Sequence, residues 1–235
     1  MPFKFKQFTI RQDNCAMKIG TDGVLLGAWV AVENQPKSIL DIGTGTGIIA
    51  LQLAQRSTAE IIDALEIEGK AYEQAVENFE NSQWGDRLFC YHASLQEFTL
   101  EVDEKYSLIV SNPPFYSDNF ETAIKERNTA RFTSALPFDE LLNSASKLLH
   151  NKGYFSTIIP FKEEQYFIEL ASKVHLFPSR ICRVKGTPTT DIKRSLLEFC
   201  FRKEEIKYTE LTIEIQRHQY TKAYITLVQD FYLKM

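Results

Sequence analysis

The sequence has few of the residues that bind metal ions or cross-link small domains. Its four cysteines are scattered and form no C-x-x-C pair, so neither a zinc site nor a disulfide scaffold is supported. No apolar run approaches the ~20 residues that a membrane-spanning helix needs. The amino-terminal stretch Met-Pro-Phe-Lys-Phe-Lys has no apolar signal core and no small-residue cleavage site. We therefore expect a cytoplasmic protein with reduced cysteines, no metal and no membrane partner.

An excess of positive charge is also missing. The formal net charge is −4 and the isoelectric point is about 5.7, so no global field draws in nucleic acid. A local basic patch can still bind RNA, although any such cluster can equally be a solvated face. The basic clusters contain Lys4, Lys6, Arg11 and Lys18; Lys125, Arg127 and Arg131; and Arg180, Arg183, Lys185, Lys193 and Arg194.

The composition that is present suits one globular domain over residues 1–235. Apolar residues make up 44% and charged residues 25% of the chain, as in ordinary globular proteins. Strand and helix patterns alternate through residue 159, and two further strand patterns follow at 180–185 and 195–202. This order predicts an α/β fold with a parallel sheet, helices on both of its faces and an antiparallel edge.

A glycine-rich turn follows the first strand pattern of this alternation. The apolar run 38–42 leads into Gly-Thr-Gly-Thr-Gly at 43–47 and then into a helix pattern. Such a turn lets the backbone approach a ligand closely. The dinucleotide fingerprint G-x-G-x-x-G would need glycine at position 48, where Ile48 stands. The second strand, 61–65, ends in Glu66, which is placed to accept hydrogen bonds from ribose hydroxyls or is a plain surface acid.

The fourth strand pattern, 108–111, ends in Asn112-Pro113-Pro114-Phe115. Prolines stop a strand because they donate no ladder hydrogen bond, and they hold the preceding residue extended. A side-chain amide, backbone carbonyls and an aromatic ring thus meet at a strand end, although an ordinary turn has the same pattern. In a parallel sheet the ends of the first four strands form one rim. Along this rim we expect the glycine turn, Glu66, Ser94 and Asn112.

The chain resembles the bacterial tRNA(Val) adenine-37 N6-methyltransferase family, within the class I S-adenosylmethionine-dependent methyltransferases. The resemblance lies in Asp41 to Gly47, Glu66, Asn112 to Phe115, the stretch 7–29 and the ending 220–234. It implies a Rossmann-like, seven-stranded mixed sheet in the order 3-2-1-4-5-7-6, with strand 7 antiparallel. It also implies methyl transfer from S-adenosylmethionine to N6 of an adenine in tRNA, most specifically A37 of tRNA(Val). The sequence leaves the oligomeric state open, with a monomer as the default expectation.

Carried over position by position, the resemblance implies roles for individual residues. Residues 1–37 would form a segment covering the cofactor, and 38–235 the catalytic core. The cofactor would be bound by Lys18, Thr21, Asp22, Asp41, Gly43, Gly45, Gly47, Glu66, Ser94 and Asn112. The catalytic residues would be Asn112, Pro113, Pro114 and Phe115. The chain departs from the general pattern at Ser94, where an acid is preferred, and at Phe115, where tyrosine is commoner.

RNA phosphates would be bound by a mobile loop over 115–137 and by the tip of the 180–202 hairpin. The residues concerned are Arg127, Arg131, Lys185, Lys193 and Arg194. The residues themselves leave three other functions open: protein glutamine N5-methylation, nicotinamide oxidoreduction, and RNA binding without turnover. Ile48 argues against the nicotinamide enzyme. Only 37 residues precede the first strand, whereas glutamine methyltransferases of this kind usually carry a helical domain there.

Overall fold

The computed structural model describes residues 1–15, 18–114 and 136–235. Its strands are β1 (Phe3–Lys4), β2 (Thr9–Ile10), β3 (Ser38–Ile42), β4 (Ile61–Glu66), β5 (Leu88–His92), β6 (Tyr106–Ser111), β7 (Leu149–Pro160), β8 (Phe177–Lys185), β9 (Ile192–Cys200), β10 (Lys207–Thr212), β11 (Glu214–Gln216) and β12 (Gln219–Tyr220). Its helices are α1 (Thr21–Trp29), α2 (Ile48–Arg56), α3 (Gly69–Glu80), α4 (Leu95–Glu101), α5 (Phe138–Leu148), α6 (Glu164–Lys173) and α7 (Lys222–Val228), with a 3-10 turn at Phe161–Glu163.

Within these residues the main sheet contains eight strands in the order β5-β4-β3-β6-β7-β9-β8-β10. Counted from β3, this is the predicted order 3-2-1-4-5-7-6, and the seventh strand, β9, is antiparallel to both neighbours. The class I methyltransferase fold is therefore confirmed. The predicted number of strands is wrong by one, because β10 adds a parallel edge strand beside β8. Its residues are mostly exposed, so the sequence pattern predicts only a short strand over 211–215 in this region.

The core lies in two layers, one on each face of the sheet. Alternate residues of β3 enter opposite layers: Ile39 packs with α1, α2 and α7, whereas Leu40 packs with α5 and α6. Strands buried on both faces need apolar residues in both phases, which explains their continuous apolar runs. The two layers fix the sheet, and with it the positions of the strand ends.

Several helix bounds differ from the sequence prediction. The first helix, predicted over 23–32, starts at Thr21 and ends at Trp29, and Gly20 caps it with no side-chain hydrogen bond. The last helix, predicted over 220–233, covers only Lys222–Val228, after Thr221 caps it by accepting from the Tyr224 amide. Helix α4 was not predicted. Most of the predicted loop, residues 115–135, lies outside the described residues. None of the helices described here is both long enough and apolar enough to span a bilayer.

Candidate active site

The glycine turn between β3 and α2 has three residues with left-handed backbone. The φ angles are +70° at Gly43, +56° at Gly45 and +81° at Gly47, a region that strains residues with a Cβ. At Gly43 and Gly45, apart from the adjoining residues, no atom of the part of the chain that the structure describes lies within 4 Å of where a Cβ would stand. At Gly47 that position is 2.5 Å from Cε1 of Phe79. The first two glycines thus present bare backbone to open space, and the third lets α3 pack against the turn.

Asp41 lies buried directly beneath this turn. Its Oδ2 accepts hydrogen bonds from Thr44 Oγ1 at 2.5 Å and from the Ala50 amide at 3.2 Å. Its Oδ1 is buried and has no hydrogen-bond partner among the described residues. Burial raises the pKa of Asp41 to about 7, although the two hydrogen bonds oppose the shift. A buried carboxylate oxygen of this kind is suited to a cationic or hydrogen-bond-donating ligand.

Glu66 ends β4 beside the turn, and two backbone amides orient its carboxylate. Gly45 donates to Oε2 at 2.9 Å, and Glu68 donates to Oε1 at 2.9 Å. A carboxylate has about four acceptor sites, so two of them stay available for ligand hydroxyls. The turn itself is tied to β4, since the Thr44 amide donates to the Leu65 carbonyl at 2.9 Å. The carboxylate and the glycine backbone are therefore held as one unit.

Asn112 follows the last residue of β6, next to the glycine turn. The register pairs Ile42 with Ser111, and the Ser111 hydroxyl donates to the Ile42 carbonyl at 3.0 Å. This bond ties the two strand ends together where both chains leave the sheet. Helix α1 also reaches this point: a Cβ at Gly23 would lie 3.9 Å from Asn112 Nδ2. Asn112 is half-buried, and Pro113, which follows it, is buried.

Ser94, the residue predicted at the third strand end, caps helix α4. Its hydroxyl donates to Glu97 Oε2 at 2.7 Å and accepts from the Glu97 amide at 3.2 Å. The same carboxylate accepts from the Ser94 amide at 3.0 Å, which completes a capping box. Ser94 lies on the predicted rim, but its hydroxyl and its amide are already used by the cap. A role toward the cofactor stays a prediction.

The predicted residues from the amino-terminal segment have mixed surroundings. Lys18 and Thr21 are exposed, whereas Asp22 is half-buried. Asp22 Oδ2 accepts a hydrogen bond from Arg194 Nε at 2.8 Å, so a predicted cofactor residue and a predicted RNA residue pair with each other. Their separate roles stay predictions.

The other predicted RNA-binding residues fall into two groups. Lys185 pairs through Nζ with Glu210 Oε1 at 2.6 Å, and Lys193 is exposed. Arg127 and Arg131 lie outside the described residues. So does Phe115, the aromatic residue of the strand-ending motif. The structure therefore brings together the glycine turn, Asp41, Glu66 and Asn112 on one side of the rim, and Lys185 and Lys193 near the end of β8.

One rim residue was not singled out from the sequence. Ile67 directly follows Glu66, and its large apolar side chain is 56% exposed beside this ligand-suited carboxylate. Next to it, His92 Nε2 lies 3.1 Å from the Ile67 carbonyl oxygen, and the His92 ring stacks on Tyr72 at 5.1 Å. The signal in the sequence was an apolar residue immediately after a strand-ending acid.

These residues fit S-adenosylmethionine. Bare glycine backbone allows close approach, the Glu66 carboxylate suits ribose hydroxyls, and the unpartnered Asp41 Oδ1 suits an ammonium group. The exposed Ile67 offers an apolar face to an adenine ring. Among the described residues no group of histidine, cysteine, aspartate and glutamate side chains is arranged to hold a metal ion.

Comparisons with known proteins point the same way. The family model of the methyltransferase small domain matches residues 20–165, which include the glycine turn, Glu66 and Asn112. A relative from Christiangramia forsetii, named tRNA1(Val) (adenine(37)-N6)-methyltransferase, is 63% identical over 100% of this chain and 98% of its own length. Relatives of the same name from Bacteroides fragilis and Trichodesmium erythraeum are each 47% identical, over 99% of this chain and 98% of their own length.

Two solved structures show the shared fold. A predicted O-methyltransferase from Agrobacterium tumefaciens superimposes with a TM-score of 0.69 at 20% identity, covering 89% of this chain and 96% of its own. A ribosomal protein L11 methylase from Lactobacillus delbrueckii has a TM-score of 0.54 at 17% identity, covering 77% of each chain. At these identities the likeness concerns the fold alone.

Proposed function

The chain belongs to the tRNA1(Val) (adenine(37)-N6)-methyltransferase family, and from this we propose that it methylates N6 of adenine 37 in tRNA(Val). The proposal rests on full-length identity of 63% with a relative of that name. In the structure, one observation carries it: the Ser111 hydroxyl ties β6 to β3, so Asn112 adjoins the glycine turn. An amide acceptor beside a cofactor-suited turn is the arrangement that methylation of an amino group requires.

S-adenosylmethionine supplies an electrophilic methyl group on a sulfonium when it is bound. In our proposal Asp41 interacts with its ammonium group through a water molecule, and Glu66 accepts from the ribose hydroxyls. Gly43 and Gly45 let the backbone lie close to the methionine part, because a Cβ at either position would project into open space. Ile67, with 56% of its surface exposed, covers one face of the adenine. Lys18, Thr21, Asp22, Gly47, Ser94 and Asn112 are proposed as further cofactor-binding residues.

The proposed work of the strand-ending motif is to position the adenine amino group. The lone pair of the adenine N6 atom is delocalised into the purine ring, so this nitrogen is a poor nucleophile. The Asn112 Oδ1 atom and the Pro113 carbonyl accept hydrogen bonds from the two N–H groups of this nitrogen and draw it toward a pyramidal geometry. After the methyl group is transferred, the nitrogen loses one proton to water. Both acceptors follow a strand end that the Ser111–Ile42 hydrogen bond holds in place, and preorganised dipoles cost no reorganisation during reaction. We propose that Phe115 stacks on the extruded base and that Pro114 keeps the motif rigid.

RNA binding is proposed for Arg127, Arg131, Lys185, Lys193 and Arg194, through their charges on phosphate groups. Because tRNA is the proposed substrate, we propose the cytoplasm as the place of action. The predicted monomer, and the single domain over residues 1–235, stay predictions.

The test is methyl transfer from radiolabelled S-adenosylmethionine to either bulk tRNA or a peptide-chain release factor. We expect label in tRNA, and digestion to nucleosides should yield N6-methyladenosine. A tRNA(Val) transcript with guanine at position 37 is the matched control and should accept no label. Label in the release factor but not in tRNA would overturn the proposal and indicate glutamine N5-methylation, for which the same two acceptors are suited.

A further inference from the structure

Arg183, near the end of β8, is hydrogen-bonded to Glu164 and lies next to two aromatic rings. Its Cζ lies 5.3 Å from the ring centroid of Phe161 and 5.5 Å from that of Tyr208. Its Nε donates to Glu164 at 3.2 Å, and its Nη2 donates to Glu164 Oε1 at 2.7 Å. We refer to Phe161, Arg183 and Tyr208 as the Arg183 stack. A guanidinium fixed in this way loses little side-chain freedom when it binds a ligand.

The pairing of Arg183 with the buried Glu164 carboxylate explains the position of Arg183 but not the two aromatic rings beside it. Glu164 is 6% exposed, and a buried carboxylate needs charged and hydrogen-bonding partners. Arg183 and the Ser195 hydroxyl supply them. The two rings are not needed for that purpose. Moreover, 59% of Tyr208 and 38% of the Arg183 side chain stay exposed, and the Arg183 Nη1 has no hydrogen-bond partner among the described residues.

The stack lies at the β10 edge of the sheet, on the side of the sheet that α5 and α6 pack against. Tyr208 is paired in register with Ile181, which belongs to the layer of α5 and α6. Leu211, three residues after Tyr208, packs in the opposite layer with α7. Tyr208 therefore points away from α7, on the same face as Arg183. Because β10 is an edge strand, the exposed Tyr208 ring is accessible to a binding partner.

The stack is continuous with the proposed catalytic rim. Phe161 directly follows Pro160, the last residue of β7, and β7 runs parallel to β6, which ends before Asn112. From β6 the strand order continues through β7 and β9 to β8 and then β10. With about 4.8 Å between strands, Arg183 lies about 14 Å and Tyr208 about 19 Å across the sheet from the strand of Asn112. A few nucleotides of extended single strand cover this span.

The chemistry of the stack suits RNA better than an apolar partner. Unpaired bases stack on aromatic rings and on guanidinium planes, and phosphates pair with arginine and lysine. The end of β8 also carries Lys185, which is paired with Glu210, and the exposed Lys193 lies at the start of β9. The chain as a whole is acidic, at −4, so cations gathered beside exposed rings are a local feature.

We propose that the Arg183 stack binds an unpaired nucleotide of the substrate RNA that flanks the methylated adenine. The base stacks on Tyr208, and Arg183 holds the adjoining phosphate. This inference rests on the proposed function, because it assigns part of the RNA-binding surface of the same enzyme. It also gives Tyr208 a role that the sequence pattern did not indicate, and it assigns a contact to Arg183, which the sequence showed only as a member of a basic cluster.

The test is Tyr208→Ala, with tRNA methylation measured as kcat and KM. We expect KM for tRNA to rise between about fivefold and 100-fold, with kcat within about twofold and cofactor affinity unchanged. Tyr208→Phe keeps the ring and should match the wild type within about twofold. Phe89→Ala removes a ring that is 43% exposed on β5, the opposite edge strand, and should leave KM for tRNA unchanged.

A second readout uses tRNA with 2-aminopurine placed in turn at positions flanking the target adenine. Binding should change the fluorescence of at least one position in the wild type, and Tyr208→Ala should abolish that change. An unchanged KM in Tyr208→Ala, with a wild type that methylates tRNA, would refute the Arg183 stack and leave the proposed function standing. A wild type that transfers no methyl group to tRNA would refute both.

Discussion

Arg194, on β9, donates through Nε to Asp22 Oδ2 at 2.8 Å, although 172 residues separate the two in the chain. The bond joins the first turn of α1 to the antiparallel hairpin across the rim. Helix α1 also approaches Asn112 through Gly23. The pair thus holds the amino-terminal segment against the side of the rim where the cofactor is proposed to bind.

We expect Asp22→Asn and Arg194→Gln each to weaken binding of S-adenosylmethionine by about twofold to fivefold. A partly exposed ion pair contributes roughly 0.2–1 kcal/mol, which sets this range. Titration calorimetry on the two variants and on the double variant gives the coupling between them. If the residues act through their bond, the double variant should be no worse than either single one. An Arg194→Gln variant with normal cofactor affinity and a raised KM for tRNA would instead support direct RNA contact.

Asn112→Ala should lower kcat for tRNA methylation by at least about 100-fold, the scale on which single preorganised dipoles act in catalysis. Cofactor affinity should stay within about tenfold, because the glycine turn and Glu66 are untouched. Asn112→Asp is the matched control, since it keeps an oxygen acceptor at the same place and should retain far more activity. Turnover by Asn112→Ala close to that of the wild type would remove this residue from the mechanism.

Because burial raises the pKa of Asp41, we expect cofactor binding to depend on pH. Burial raises its pKa to about 7 in the free protein, so the carboxyl is largely protonated below that pH. An ammonium group favours the ionised form, so affinity for S-adenosylmethionine should fall as the pH drops from 7.5 to 5.5. Asp41→Asn should bind more weakly at pH 7.5 and lose this pH dependence. Calorimetric titration at several pH values measures both effects.

The same residue makes an opposite prediction for stability. A raised carboxyl pKa means that the folded state binds a proton more tightly than the unfolded state. The contribution of Asp41 to stability is therefore fully present below about pH 4 and is lost as the pH rises through about 7. Without cofactor, the free energy of unfolding of Asp41→Asn should increase relative to that of the wild type as the pH is raised from 5 to 8. A difference in melting temperature that is constant over this range would contradict the shifted pKa.

Two glycines of the turn should respond differently to alanine. Gly47→Ala adds a Cβ 2.5 Å from Cε1 of Phe79 at a φ of +81°, so strain and overlap act together. We expect a loss of roughly 2–4 kcal/mol in the free energy of unfolding. Gly43→Ala meets open space and should lose only about 1 kcal/mol, but its Cβ should weaken cofactor binding. Urea unfolding and cofactor titration of both variants separate the effects, and equal losses of stability would contradict the difference in packing.

We expect Lys193 to contribute to RNA binding only through the electrostatic attraction between its ammonium group and an RNA phosphate. Lys193→Ala should lower tRNA affinity and reduce by about one the slope of log K against log salt, as expected for one lost phosphate contact. Lys37, an exposed lysine just before β3 at the amino-terminal end of the parallel strands and so away from the rim, is the control. A slope unchanged in Lys193→Ala would place the residue outside the RNA-binding surface.

Much of the proposed site could be predicted because each of its parts is a short sequence motif at the end of a strand. A glycine turn, an acid after the next strand and an Asn-Pro-Pro motif each lie at the end of an apolar run. Parallel strands place such ends along one edge. The structure brings the glycine turn, Glu66 and Asn112 together on that edge, next to one another. Strand β10 was predicted only as a short strand over 211–215, because most of this exposed edge strand has no alternating apolar pattern. Helix α4 was not predicted, because its seven residues are too few for a clear period.

The sequence by itself determined the order of strands and turns, the left-handed glycines and the rigid end of β6, since each depends on residues that are neighbours in the chain. Only the tertiary structure decided which charged side chains are paired and which aromatic rings stay exposed. Arg194 meets Asp22, Lys185 meets Glu210 and Arg183 meets Glu164 and Tyr208 through the lateral order of strands and the packing of α1 and α6. Local periodicity carries no information about such contacts, because they join segments that only the folded sheet brings side by side.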